Sequence, residues 1–355
     1  MAEIAGFGLS HYPGPLVPPE LWPRMLTRNV KIGRTDAELF ADKQRWPQPM
    51  RDEWGDDEGV SAARRHQRAL LDGYRQMRAE LDAFAPDFVL IWGDDQFENY
   101  RKDCIPAFAL GIFDEVVCTP YGRGKTSFQT DTNSWGLPAD QELRVQGHFE
   151  AGAALYRGLL DAGFDPAYSL STRHEDGLAH AFANTIVFLD YERAGFPYPV
   201  VPFHVNCYGS QLLKTGASVF GEGENRLTPP GPSPARCFAL GAATARLLAA
   251  SPWRVAVIAS ASWSHGSLTA KNGRLYRDVD ADAARLDDLR SGRFTRWGEL
   301  SEAELDETGQ HEFLNWICLA GAMTALDYRL ERMDFVETHL FNSAKCFARF
   351  GPGPR

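Results

Sequence analysis

Side chains able to move protons, hold a metal ion or orient a small ligand recur just beyond short apolar runs of this chain. Asp94, Asp95 and Gln96 follow Asp87-Phe-Val-Leu-Ile-Trp-Gly, and His174 follows a run near 167–172. His204 and Asn206 close Val-Pro-Phe-His-Val-Asn (201–206), and His265 follows Arg254-Val-Ala-Val-Ile-Ala-Ser. Four separate runs delivering polar residues to one edge is the pattern by which open α/β sheets build a ligand crevice at the carboxyl ends of their strands. Two further residues attract little notice alone. His11 stands in Gly-Leu-Ser-His-Tyr-Pro-Gly-Pro (8–15), where a histidine is ordinarily a surface or capping group. Glu312 precedes Phe313, Leu314, Trp316, Ile317 and Leu319. An acid there either offsets the positive end of a helix or serves as a ligand.

The elements that must position these residues alternate. Ala69, Leu70, Tyr74, Met77, Leu81 and Phe84 recur at helical spacing and predict a helix over Val60–Phe84. Pro86 ends it, and a buried strand follows, ending at Gly93. Helices are expected near 149–162 and 236–250, and strands near 167–172, 199–205 and 254–260. This alternation argues an α/β fold with a mostly parallel central sheet flanked by helices. Residues 12–56 read as an irregular surface excursion, and the Gly-, Pro- and Ser-rich stretch 207–235 as a long loop of the kind that forms functional lids. Neither breaks the pattern, so 1–355 reads as a single domain with two insertions.

Composition narrows the partners. The 355 residues are 44% hydrophobic and 12% aromatic, ample for a buried core, and the net charge is −10 with no basic cluster. Nucleic acid and anionic membranes are therefore poor partners. The start, Met1-Ala-Glu-Ile-Ala, has no signal-peptide pattern and no run is long enough to span a bilayer, so the expected compartment is the cytoplasm. Cys104, Cys118, Cys207, Cys237, Cys318 and Cys346 form no CxxC pair and read as buried free thiols. Gly122-Arg-Gly-Lys-Thr resembles half of a phosphate-binding loop, but Thr119 stands where the first glycine is required. No HExxH is present.

Taken in order, the segments around His11, Trp-Gly-Asp-Asp-Gln-Phe-Glu-Asn-Tyr (92–100), residues 201–206, Ser-Ala-Ser-Trp-Ser-His-Gly (260–266) and His-Glu-Phe-Leu-Asn-Trp-Ile-Cys-Leu-Ala-Gly-Ala (311–322) resemble a known family. They are similar to the catalytic subunit of class III extradiol ring-cleavage dioxygenases, the protocatechuate 4,5-dioxygenase β-subunit type. The resemblance runs from about residue 7 to about residue 325. It implies a non-haem iron(II)-dependent oxidoreductase that opens a catechol-like or other small hydroxylated aromatic with O2. It also implies a homo-oligomer such as a homodimer. Some relatives need a separate small α-subunit to close the active site; here either such a partner exists or the 207–235 loop serves as lid. Two histidines and a carboxylate on one face, with open positions for substrate and dioxygen, are the usual ligand set.

Carried over by motif, His11 and Glu312 are metal ligands, His265 is the acid–base catalyst, and His174 assists with protons. Asp95, His204, Asn206 and Trp263 are expected around the substrate. One position departs. Counting back from Ile105-Pro106 puts Gln96 in the slot of the family's second metal-ligand histidine. Gln96 or Asp95 ligates directly, another histidine (His174, then His204) reaches the metal, or iron is not bound as in the family. The competing readings are a metal-dependent oxygenase or hydrolase with altered coordination, and a catalytically silent ligand-binding homologue. Arg173 and Arg236 are available to clamp a substrate carboxylate, with nothing in the sequence to select them.

Overall fold

Four of the chain's most apolar segments lie side by side at the centre of one eight-stranded sheet. The computed structural model describes residues 2–101, 103–172, 174, 177–209 and 229–353. Its strands are β1 (Ile4–Leu9), β2 (Phe88–Gly93), β3 (Phe108–Gly111), β4 (Glu115–Cys118), β5 (Leu143–Gln146), β6 (Ala167–Ser169), β7 (Val200–Val205), β8 (Val255–Ser260), β9 (Tyr328–Val336) and β10 (Lys345–Pro352). The large sheet runs β6-β3-β7-β2-β8-β1-β10-β9, with β4 and β5 paired separately. The inner four, β7, β2, β8 and β1, are mutually parallel, while β3 pairs antiparallel with β7, and β10 with β1 and β9.

Every residue of β1, β2, β7 and β8 is buried, as expected of strands covered on both faces. Phe88, Leu90 and Trp92 face one core with the helices Phe149–Asp161, Pro234–Ala249 and Phe313–Ala325; Val89 and Ile91 face the other with Val60–Phe84 and His180–Leu189. Parallel strands share one polarity, so the carboxyl ends of β1, β2, β7 and β8 open on the same edge.

The expected helix Val60–Phe84 and the expected strands agree with these elements within a few residues. Two segments differ. Residues 12–56 are not irregular throughout: they carry the short helices Pro23–Lys31, Ala37–Ala41 and Gln48–Trp54, pinned by the buried indoles of Trp22, Trp46 and Trp54. The hairpin β9–β10 has no counterpart in the sequence expectations, because no residue of β9 is fully buried and it lacks an apolar run. Most of the anticipated lid, residues 210–228, lies outside the described residues. All six cysteines are free thiols, and Cys104, against expectation, is exposed. Among the described residues no helix is long and apolar enough to cross a membrane.

Two glycines let the helices Pro234–Ala249 and Phe313–Ala325 touch backbone to backbone. A methyl on Gly241 would stand 1.8 Å from the Cys318 carbonyl oxygen, and one on Gly321 2.0 Å from that of Phe238. Gly241→Ala is therefore expected to lower unfolding stability by about 3 kcal/mol, the upper end of ordinary overpacking. A denaturant titration showing a loss below about 1 kcal/mol would mean the two helices separate without strain.

Candidate active site

His11 leaves the end of β1 and is 3% exposed. Its Nδ1 lies 3.0 Å from the Ser260 carbonyl oxygen, at the end of β8. A carbonyl only accepts, so Nδ1 carries the proton and Nε2 presents its lone pair. Asn184 Nδ2 donates to the His11 carbonyl, and Tyr74 donates to that of Ser10, so the turn after β1 is tied on both sides. Burial, above all, lowers the His11 pKa to about 4, against the pull of Glu312.

That Nε2 lone pair faces two carboxylates. Asp94 Oδ1 is 3.6 Å away and Glu312 Oε2 is 3.5 Å away, both side chains almost fully enclosed. Among the described residues, neither Asp94 oxygen nor Glu312 Oε2 has a hydrogen-bond donor. Burial first, then the Glu312 charge, pushes the Asp94 carboxyl well above the usual range. For Glu312 burial also pushes upward, but His265, His11 and the Tyr208 hydroxyl outweigh it and leave the group below its ordinary value. Three unpartnered buried oxygens around a lone pair are costly unless a cation sits among them. The residues present therefore fit a metal ion.

A second imidazole stands beside this pair. His180 opens the buried helix His180–Leu189, and its ring lies edge-on to that of His11 at 4.9 Å. Ligand atoms of His11, Asp94 and His180 lie within 4.8 Å of one another. Glu98 Oε2 holds His180 Nδ1 at 2.8 Å, leaving Nε2 for the cluster. Burial lowers the His180 pKa, yet the Glu98 carboxylate more than offsets this and carries it to about 9. A carboxylate behind a histidine in this way is the usual support of a metal-bound imidazole.

His265 approaches from the other side. Its Nδ1 donates to the Trp263 carbonyl at 2.9 Å, so Nε2 is free of its proton and stands 3.4 Å from Glu312 Oε2. The loop is locked behind it: Ser264 Oγ donates to the Thr308 carbonyl, and the Ser264 amide donates to Asp282. The serine of the Ser-His pair thus serves the loop and not the ligand.

These groups lie at one end of a cavity of about 630 Å³. His11, Gln96, Glu98, His180, Tyr208, His265 and Glu312 all line it, together with the apolar Leu16, Met25 and Leu268. The volume suits a substituted aromatic ring.

Several expected site residues lie elsewhere. Gln96 does reach Glu312, but through its amide nitrogen, which donates to Oε1 at 3.2 Å and to the Tyr208 hydroxyl at 3.2 Å. Tyr208 also donates to that Oε1. Together they hold Oε1 and leave Oε2 to face the histidines; Gln96 thus positions the carboxylate. His174 is not brought to the site. It is exposed and bonded to Asp103, and the imidazole that reaches the site is that of His180. Asp95 points to the opposite face of β2 from Asp94, where it accepts the amides of Glu98 and Asn99. It lines a separate small cavity with His204. There His204 stacks on Tyr100, its pKa driven down to about 3 by burial. Asn206 accepts from the Gly209 amide and shapes the turn after β7. Trp263 is wholly buried against Phe313, Trp316 and Phe335. Arg236 lies on the surface over Phe164, and Arg173 falls outside the described residues.

Asp94 and His180 are thus members of this cluster that reading by motif does not single out. Both had a signal: Asp94 shares the strand parity of Phe88, Leu90 and Trp92, and His180 heads an apolar decapeptide. Tyr208 had none, since it stands at the start of a loop.

Comparison with known proteins gives a consistent result. Residues 224–348 match the family model described as the catalytic LigB subunit of aromatic ring-opening dioxygenase. A 2,3-dihydroxyphenylpropionate/2,3-dihydroxicinnamic acid 1,2-dioxygenase of Cupriavidus necator is 24% identical over 302 residues, covering 78% of this chain and 87% of that protein. The corresponding enzyme 2 of Pseudomonas putida is 26% identical over 139 residues. That match spans 39% of this chain and 36% of the relative, about a third of its length.

Proposed function

We propose that this chain, a homologue of the class III extradiol dioxygenases of catalytic-subunit type, opens the ring of a catechol-like aromatic with O2 at an iron(II) centre. The observation that carries the reading is the lone pair of His11 Nε2, faced at 3.5 and 3.6 Å by two buried carboxylates without donors. His11, Asp94 and Glu312 would hold the metal, with His180 as the second imidazole and Glu98 behind it. Imidazole and carboxylate together suit a divalent iron with open positions. Bound there, iron(II) would supply the Lewis-acid and electron-transfer chemistry that couples an electron-rich ring to dioxygen.

The chain's own part is orientation and proton transfer. His265 Nε2 accepts the proton of a substrate hydroxyl and returns it later in the cycle, its tautomer set by the Trp263 carbonyl. Gln96 and Tyr208 keep Glu312 turned toward the metal position. Leu16, Met25 and Leu268 offer the ring its apolar contacts within an otherwise polar cavity. The relatives' named substrate, 2,3-dihydroxyphenylpropionate, supports a catechol carrying a side chain.

The direct test loads the protein with iron(II) without air and then supplies catechols and O2. One O2 consumed per ring, with a ring-opened dienoate carrying a new carboxylate and a new ketone or aldehyde carbonyl, is the expected result. Failure of every catechol to consume O2 in protein that holds one iron per chain would remove the reading. A companion titration separates the ligands. Gln96→Ala is expected to weaken iron(II) binding by about 10–100-fold, as loss of a supporting hydrogen bond does. His180→Ala is expected to reduce it further, and His174→Ala to leave it unchanged. If Gln96→Ala abolished binding while His180→Ala spared it, the amide would be the ligand.

A further inference from the structure

The chain carries 47 acidic against 37 basic residues, yet one wall of the large cavity is cationic. Arg28, Arg34 and Arg274 all line it. None of their guanidinium groups has a hydrogen-bond or ion-pair partner among the described residues. Fold geometry gathers them. Arg28 sits on the helix Pro23–Lys31, and Arg34 follows in a turn whose amide bonds to the Asn29 carbonyl at 2.8 Å. The next residue, Thr35, donates to the Arg274 carbonyl at 2.9 Å, and the Asp36 amide donates to Gly273. Two loops far apart in sequence are thereby stitched so that Arg34 and Arg274 flank one opening. Arg28 and Arg34 are close enough for repulsion to act alongside their partial burial. A fourth arginine, Arg123, is held by the Leu178 carbonyl and lies toward Glu98, so it belongs to the metal end. The cavity's carboxylates, Glu98 and Glu312, are engaged with His180 and with Tyr208 and Gln96 respectively.

We infer that Arg28, Arg34 and Arg274 form an anion subsite that takes a doubly charged tail on the substrate, a phosphate monoester or paired carboxylates. Three arginines without an ion-pair partner on one cavity, two of them close enough to repel, are a poor way to build a surface and a good way to bind a dianion, since planar guanidiniums pair bidentately with such oxygens. A single carboxylate would leave at least one of them unmatched. The inference rests on the ring-cleavage reading only for the other end of the substrate.

The test uses ring compounds without catechol hydroxyls, so that binding does not need the metal. Phenylpropyl phosphate, phenylpropionate and phenylpropanol are titrated calorimetrically into the full-length protein, and into its R28Q/R34Q/R274Q variant. The phosphate is expected to bind wild type about 100-fold more tightly than the alcohol, the gain from two charge-assisted hydrogen bonds. The carboxylate should fall between them, and the order should collapse in the variant. Should the triple variant not fold, Arg274→Gln alone, at an exposed position, should still weaken phosphate binding by about 10-fold. Equal affinity for phosphate and carboxylate would overturn the dianion assignment. Equal affinity for all three compounds, or a preference kept in the variant, would overturn the subsite. If the anion binds as expected but dihydroxylated counterparts are not cleaved, the subsite stands and the ring-cleavage reading falls.

Discussion

Replacing Asp94 by asparagine is expected to abolish stabilisation by iron(II) while making the metal-free protein more stable at neutral pH. In the wild type a ligand present at 100 times its Kd adds about 2.7 kcal/mol, readable as a rise in Tm. Asp94→Asn removes an anionic donor facing His11 Nε2, so most of that rise should vanish. The metal-free effect has the opposite sign. Burial and the Glu312 charge raise the folded-state pKa of Asp94, so the folded protein holds a proton that the unfolded chain releases above the ordinary carboxylate range. Stability is then lost as pH climbs from that range toward the raised value, and the asparagine variant escapes the loss. Thermal melts with and without iron(II), for both proteins at neutral pH, measure the two effects together. If the variant kept the iron-dependent rise, Asp94 would not be a ligand. If it were less stable without metal, the carboxyl would have an unrecognised donor.

His265→Ala should leave iron content near one per chain and lower turnover about 10²–10⁴-fold, the range of a positioned acid–base group. The argument is geometric. Nδ1 is committed to the Trp263 carbonyl, Nε2 looks into the cavity, and the backbone is held by Gly309 and by Ser264. Removing the ring leaves this scaffold intact, because the loop is fixed by its serine and amides. A pH profile should lose the limb that reports the base. His265→Gln, which keeps a polar group but not the proton transfer, should be nearly as slow. Iron content falling in step with activity would make His265 a ligand.

The helix Val60–Phe84 and the strands β2, β7 and β8 could be read from the chain because their signals are local. Periodicity of apolar residues and a proline at a boundary depend only on neighbours. The hairpin β9–β10 could not, since β9 is an edge strand with no fully buried residue and so carries no apolar run. Site residues divide in the same way. His11, Glu312 and His265 lie in contiguous motifs whose flanks mark them. Gln96 is expected at the metal slot and stands beside Glu312, but which of its amide atoms turns to the carboxylate is set together with Tyr208, a residue 112 positions away.

What the sequence by itself determined is the parallel α/β sheet and the edge on which polar residues gather, since each follows from a local run and its terminus. His11, Glu312 and His265 are singled out through the family resemblance, and the structure brings them together. What only the tertiary structure decided is which neighbour faces the metal position and which faces away. Asp94 and Asp95 are adjacent just past β2, yet one meets His11 and the other a separate cavity beside His204. His174 meets Asp103 at the surface while His180 is seated against Glu98, a pairing 82 positions apart in the chain. Charge compensation among buried groups is a property of three-dimensional proximity, and no local pattern encodes it.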